Sequence, residues 1–168
     1  DWGKALAHSG LGLTILGIAC ISAWSFEDIR VARVGESFPV GRYTLRLEGI
    51  EATRGPNYTA ETAVIVASRD GREIAVLRPQ KRFYPVQAMT TTEAAIDRGL
   101  SRDLYVALGD EQAAGGWAVR TYVQPLANWI WIGALVMALG GTISLTDRRY
   151  LVGAPARRAA RAGAVPAE

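Results

Sequence analysis

Two uncharged apolar runs bracket this chain and limit what it can become more than anything else in it. The first, ALAHSGLGLTILGIACISAW, covers residues 5–24 and contains no acid, lysine or arginine. The second, LANWIWIGALVMALGGTISLT, covers residues 126–146 and is also free of charge. A helix needs about 20 such residues to cross a hydrocarbon core of about 30 Å, so both runs are long enough to span. Mean hydropathy of +0.09 is therefore an average over two very apolar segments and a polar middle. The expected organisation is a transmembrane helix over 1–24, an extracytoplasmic domain over 25–125, a second transmembrane helix over 126–147 and a basic, disordered tail over 148–168. The chain starts at Asp1 rather than Met, which reads as a fragment or processed product of a longer protein.

Charge sets the orientation. The middle segment balances thirteen Lys/Arg against thirteen Asp/Glu, which argues against a basic face for nucleic acid. The excess sits after the second run, in Arg148, Arg149, Arg157, Arg158 and Arg161. Positive charge close to a span stays cytoplasmic, whereas long loops cross largely regardless of charge. Both termini are then cytoplasmic and the middle domain lies outside, which in a bacterium with an inner membrane means the periplasm. Gly17-Ile18-Ala19-Cys20 loosely resembles a lipoprotein cleavage site, but glycine stands where an apolar side chain is required, so a span is the better reading. Cys20 is the only cysteine, so no internal disulfide framework exists, and it reads as a small apolar residue buried in a helix.

His8 is the only histidine in the protein. An ionisable side chain in lipid is costly without a partner or ligand, so it reads as functional by default. Ala5, His8, Gly12 and Ile15 share one helical face. A small residue one turn from the imidazole leaves room for something flat and large, although the same spacing also serves plain helix packing. Further small residues, Ser9, Gly10 and Gly17 on the first run and Gly133, Gly140 and Gly141 on the second, suggest close helix contacts within a larger bundle.

Between the runs the hydrophobic period falls to two. Residues 25–34 look like an irregular, charged exit. Tyr43, Leu45 and Leu47 alternate with polar residues, as on a half-buried strand. Arg54-Gly55-Pro56-Asn57 is a turn cluster. Residues 62–68 and 73–77 read as a hairpin closed by Asp70-Gly71. Residues 81–85, KRFYP, could hold an acidic group such as a porphyrin propionate, but read better as one strand with a solvated and a buried face. Thr90-Thr91-Thr92-Glu93 has capping-box spacing and predicts a short helix through Ile96 and Asp97, stopped by Gly99. Residues 103–108 and 117–123 are two more alternating strands joined across Gly115-Gly116. The fold class is thus a membrane protein with two transmembrane helices flanking a mostly antiparallel β domain, a small barrel or a sandwich.

Several blocks in this order resemble the C-terminal portion of the CcmF/NrfE family, the haem lyase subunit of bacterial cytochrome c maturation. They are LAHSGLGLTILGIA in the first run, RGPNYTAE at 54–61, KRFYPVQAMTTTEAAI at 81–96, DLYVALGD at 103–110, and PLANWIWIGALVMALGG followed by TDRR. The resemblance implies a many-spanning subunit that takes haem from a haem chaperone and attaches it to apocytochrome c, together with thiol-handling subunits. It also implies a resident membrane haem b, reduced by quinol and held by two transmembrane histidines, one of which His8 matches. The family's tryptophan-rich WWD segment, its periplasmic histidines and its second haem b ligand have no counterpart here. At most half of one haem site is therefore present, with no catalytic residues of its own. The alternative is a membrane-tethered periplasmic scaffold that binds protein and has no cofactor.

Overall fold

The computed structural model describes residues 2–146. The expected basic tail at 148–168 and the last position of the expected second helix lie outside the described residues. Helix α1 (Trp2–Trp24) and helix α2 (Asn128–Thr146) frame ten strands. In chain order these are β1 (Phe26–Ala32), β2 (Ser37–Val40), β3 (Tyr43–Arg54), β4 (Thr59–Arg69) and β5 (Arg72–Leu77), then β6 (Gln80–Tyr84), β7 (Met89–Glu93), β8 (Ala95–Arg98), β9 (Arg102–Glu111) and β10 (Trp117–Pro125).

The strands form two sheets, one in the order β1-β10-β9-β8 and one in the order β2-β3-β4-β6-β7, with β5 also paired to β4. Every pairing is antiparallel. Two sheets facing each other resolve the choice between barrel and sandwich in favour of the sandwich. The period-two pattern explains the core. Leu45 and Leu47 of β3, Ala63 and Ile65 of β4, and Leu104, Val106 and Leu108 of β9 alternate inward and are fully or almost fully buried. Each buried leucine or isoleucine contributes about 1.5–3 kcal/mol by leaving water.

The Asp70-Gly71 hairpin forms as read, with both residues in the left-handed region (φ 51° and 76°), which a two-residue turn with the twist of its strands requires. Two expectations fail. The charged exit at 25–34 is strand β1, paired along its whole length with β10. Its acids find partners on β10 and on the strand itself: Glu27 pairs with Arg120 at 3.3 Å and accepts from the Tyr122 hydroxyl at 2.6 Å, and Asp28 takes both an Nε and an Nη contact from Arg30. The short helix over 90–97 is instead β7 and β8, with Ala94 between them where the chain passes from one sheet to the other. Three consecutive β-branched threonines fit a pleated strand better than a helix, and pairing Thr90–Thr92 with β6 outweighs a local capping signal.

The helices run antiparallel and touch through glycine. Gly3, Gly10 and Gly17 are the buried glycines of α1, and Gly133 and Gly140 those of α2, each row spaced by seven. A side chain on Gly10 would lie 2.5 Å from the Met137 backbone nitrogen, and one on Gly17 would lie 2.8 Å from Ile130. A seven-residue row of small residues keeps the backbones close along the whole contact. The glycine surface thought to await a larger bundle is thus mostly used by the two helices on each other. Gly12 and Gly141 stand apart, with open space where a side chain would be.

Candidate functional site

α1 presents His8 on the side turned away from α2. At about 100° per residue, two positions separate it from the buried Gly10, so it projects nearly opposite the helix pair and is exposed. Its Nδ1 lies 2.8 Å from the backbone carbonyl of Lys4, one turn earlier. A carbonyl only accepts, so Nδ1 carries the proton. In the neutral ring Nε2 then keeps its lone pair, and it has no partner among the described residues. This is the arrangement that fixes the tautomer of a metal-ligating imidazole.

Around that nitrogen the helix offers little obstruction. Gly12, one turn on, has nothing within 4 Å of an added Cβ, and Ile15 beyond it is 56% exposed. Ser9 is not a partner, since its hydroxyl donates back to the Ala5 carbonyl at 2.8 Å. His8 stands about 24 Å of helix from Trp24 and about 9 Å from Trp2, inside the span and nearer its first end. Among the described residues no three His, Cys, Asp or Glu side chains cluster as a metal site, so this part of the molecule can offer one imidazole. Cys20 is buried and unpaired.

The blocks at 54–61 and 81–85 meet on adjacent strands. β4 pairs with β6 so that Glu61 faces Lys81 and Thr59 faces Phe83. On the outer side, Arg82 lies over the Tyr58 ring at 4.5 Å, Tyr58 contacts Tyr84 with centroids 5.5 Å apart, and Glu93 pairs with Arg82 at 3.7 Å. On the inner side, where the larger sheet overhangs the smaller, Arg54, Glu61, Lys81 and Phe83 line an open groove of about 570 Å³. Lys81 is ion-paired with Asp110. Strand KRFYP therefore exists as read, but it lacks the expected buried face: Phe83 is 43% exposed while both cations are partly shielded and engaged by carboxylates.

At the helix end of the sandwich, the β8–β9 turn is tied to the start of α2. The Asn128 side-chain amide donates to the Gly99 carbonyl at 2.9 Å and to the Asp103 carboxylate at 3.0 Å. Trp129 donates to the Leu100 carbonyl at 2.8 Å. Beside this turn, burial opposes the Arg102 charge while hydrogen bonds to Asp97 and Tyr43 favour it, and the net effect holds the guanidinium above its ordinary value. Sequence reasoning passed over this junction. The available signal was Asn128 at a helix start, where asparagine is favoured, although here it reaches to another element.

The chain is similar to known proteins in sequence and in fold. A family model described as the CcmF C-terminal beta-sandwich matches residues 23–125. The cytochrome c-type biogenesis protein ccl1 of Rhodobacter capsulatus is 57% identical over all of this chain, which covers 26% of that protein. The cytochrome c-type biogenesis protein CcmF of Pseudomonas aeruginosa is 47% identical over 90% of this chain, covering 23% of that protein. A solved structure of the cytochrome c heme lyase CcmF superposes with a TM-score of 0.69 at 25% identity, over 86% of this chain and 24% of that one. The chain spans about a quarter of the length of these relatives. With helices flanking an antiparallel sandwich and a match over most of its length, it belongs to the CcmF family of cytochrome c-type biogenesis proteins.

Proposed function

We propose that this chain forms part of a cytochrome c haem lyase and supplies His8 as one axial ligand to a membrane haem b. The observation that carries the reading is the imidazole itself: Nδ1–H is fixed on the Lys4 carbonyl and Nε2 is free on an open face beside Gly12. Coordination would relieve the cost of an unsatisfied ring nitrogen in lipid, which is on the order of several kcal/mol. A single imidazole makes half of a bis-histidine site, so the second ligand comes from polypeptide beyond this chain. When bound, haem b supplies one-electron chemistry, with quinol as the reductant. His8 would hold the haem iron, the Lys4 carbonyl would fix the ring's orientation, and Gly12 would leave the face clear.

In this reading α1 and α2 cross the bacterial inner membrane with the sandwich in the periplasm. Neither helix is buried by the other described residues, with 17% and 11% of their spanning windows covered, which suits lipid or further helices around them. The sandwich then faces the haem chaperone, apocytochrome c and its thiol-handling subunits. The test is the optical spectrum of the whole subunit with His8→Ala. Loss of the haem b band is expected, and a band at normal occupancy and potential would sink the assignment.

A tethered scaffold is the second reading, and one feature favours it. On the outer face of the four-stranded sheet, Ile29 and Val31 of edge strand β1 are 57% and 48% exposed, and Ile96 of the opposite edge strand β8 is 42% exposed. Exposed apolar side chains on one sheet face suit a protein partner. Crosslinking of the whole subunit to its partners through that face would support it, provided that His8→Ala leaves both haem content and crosslinking intact.

A further inference from the structure

A cavity of about 570 Å³ lies where the helices meet the sandwich, and its walls differ with height. Ile21, Ile130 and Trp131 line it from the helices, while Arg98, Gln124 and the acid Asp103 line it from the sheet. Trp24 and Trp131 are 70% and 72% exposed. Together with Trp129 they put an aromatic belt at this level, the mark of a membrane–water interface. Arg98 therefore stands at headgroup height, directly above an apolar wall at the height of acyl chains.

The cation is uncommitted. Across the β8–β9 ladder Arg98 faces Asp103, but that carboxylate is taken by Asn128 and by the Gly99 amide at 3.2 Å. Arg98 is exposed, and its guanidinium has no ion pair or hydrogen bond among the described residues. Behind it a smaller cavity, about 230 Å³, brings in Arg69 and Arg102. Arg102 is neutralised by Asp97 at 2.5 Å, and Arg69 contacts Asp70 at 3.5 Å. Arg98 is thus the one guanidinium of this group without a carboxylate.

The geometry points to a phospholipid site here, with Arg98 holding the phosphate of an anionic headgroup while an acyl chain lies along Ile21, Ile130 and Trp131. A guanidinium matches phosphate with two parallel donors. The order of the walls, apolar in the span and cationic at its edge, follows the order of chemistry in a lipid molecule. A protein strand would bring no such order along the membrane normal. The site rests on the membrane placement of the helices and is independent of His8.

The test uses the whole subunit in nanodiscs of equal parts phosphatidylglycerol and phosphatidylcholine, extracted in mild detergent, with co-purifying lipid quantified by mass spectrometry. Phosphatidylglycerol should be enriched over the input. Arg98→Gln should lower that enrichment about fivefold, the factor that one cation at an anionic surface corresponds to. Arg46→Gln, which removes an exposed mid-strand cation, should leave it unchanged. Rising salt should weaken the enrichment in the unaltered protein, a readout that stands even where a variant misfolds. Equal retention of the two lipids, no effect of Arg98→Gln, or an equal effect of Arg46→Gln would each overturn the site. So would full displacement of the lipid by inorganic phosphate, which would mark a simple anion site.

Discussion

Thr121 on β10 sits in the core at 0% exposure, and its hydroxyl has no hydrogen-bond partner among the described residues. Such a group loses its water without recovering the bond, at a cost of about 1–3 kcal/mol. Valine has nearly the same shape and nothing to satisfy. Thr121→Val is therefore expected to raise stability by about 1 kcal/mol, read as a higher urea midpoint with an unchanged slope. A lower midpoint would mean that the hydroxyl has a partner after all. Tyr122, the next residue, points the other way and meets solvent. Its hydroxyl donates to Glu27, which together with burial and the Glu27 charge holds the phenol above its usual range against the opposing pull of Arg120. A raised phenol pKa favours the protonated native state, so this contribution is complete below the unfolded value near 10 and is lost as pH rises through the folded one. An alkaline titration should show that loss above about pH 10 more strongly in wild type than in Glu27→Ala, which leaves the phenol without its acceptor.

At the scale of the element, α1 carries two glycine faces with different work. Gly10 is closed by α2, so Gly10→Leu overpacks the helix contact, costs about 1–3 kcal/mol or more and should separate engineered crosslinks between α1 and α2. Gly12 faces open space beside His8. Gly12→Leu should keep those crosslinks and instead lower haem b occupancy, because the added side chain fills the face next to Nε2. If both variants break the crosslinks alike, Gly12 belongs to the helix contact and the haem face is misassigned. The two runs were legible because length and absence of charge need no tertiary knowledge. The hairpin at Asp70-Gly71 was legible because its backbone demands those residues. What could not be read was which glycines meet, since that depends on the seven-residue rows of both helices in register. β1 and β7 were hidden for a related reason: Glu27 and Asp28 look like a loop until Arg120, Tyr122 and Arg30 neutralise them, and the threonine run looks like a cap until β6 pairs with it. His8 could be picked out as unusual, but the Lys4 carbonyl that fixes its ring could not.

At the scale of the whole molecule, the question is how a sandwich keeps a fixed attitude over two helices. The chain joins them twice, at Ser25, whose amide continues the helix to the Ile21 carbonyl at 3.0 Å, and at Leu126. Two neighbouring junctions alone leave a hinge. The third attachment is the β8–β9 turn, where Asn128, Trp129 and the Leu126 amide all reach the backbone of residues 99–101. Leu126 is held at φ 54° to make its contact, a left-handed conformation that costs a branched side chain about 1–2 kcal/mol. That cost is borne only if the contact fixes something useful. Asn128→Ala removes one of these bonds together with the bond to Asp103, and leaves that nearly buried carboxylate with the Gly99 amide alone, a loss of about 1–3 kcal/mol. Asn128 reaches the core strands at Asp103, near the start of β9, so the amides deeper in those strands should keep full protection from hydrogen exchange. Protection should fall at the Gly99 and Leu126 amides, and the distance between spin labels on Ser22 and Arg46 should broaden. Uniform loss of protection through the sandwich would show that Asn128 supports the fold itself, and an unchanged distance distribution would show that the two chain junctions suffice.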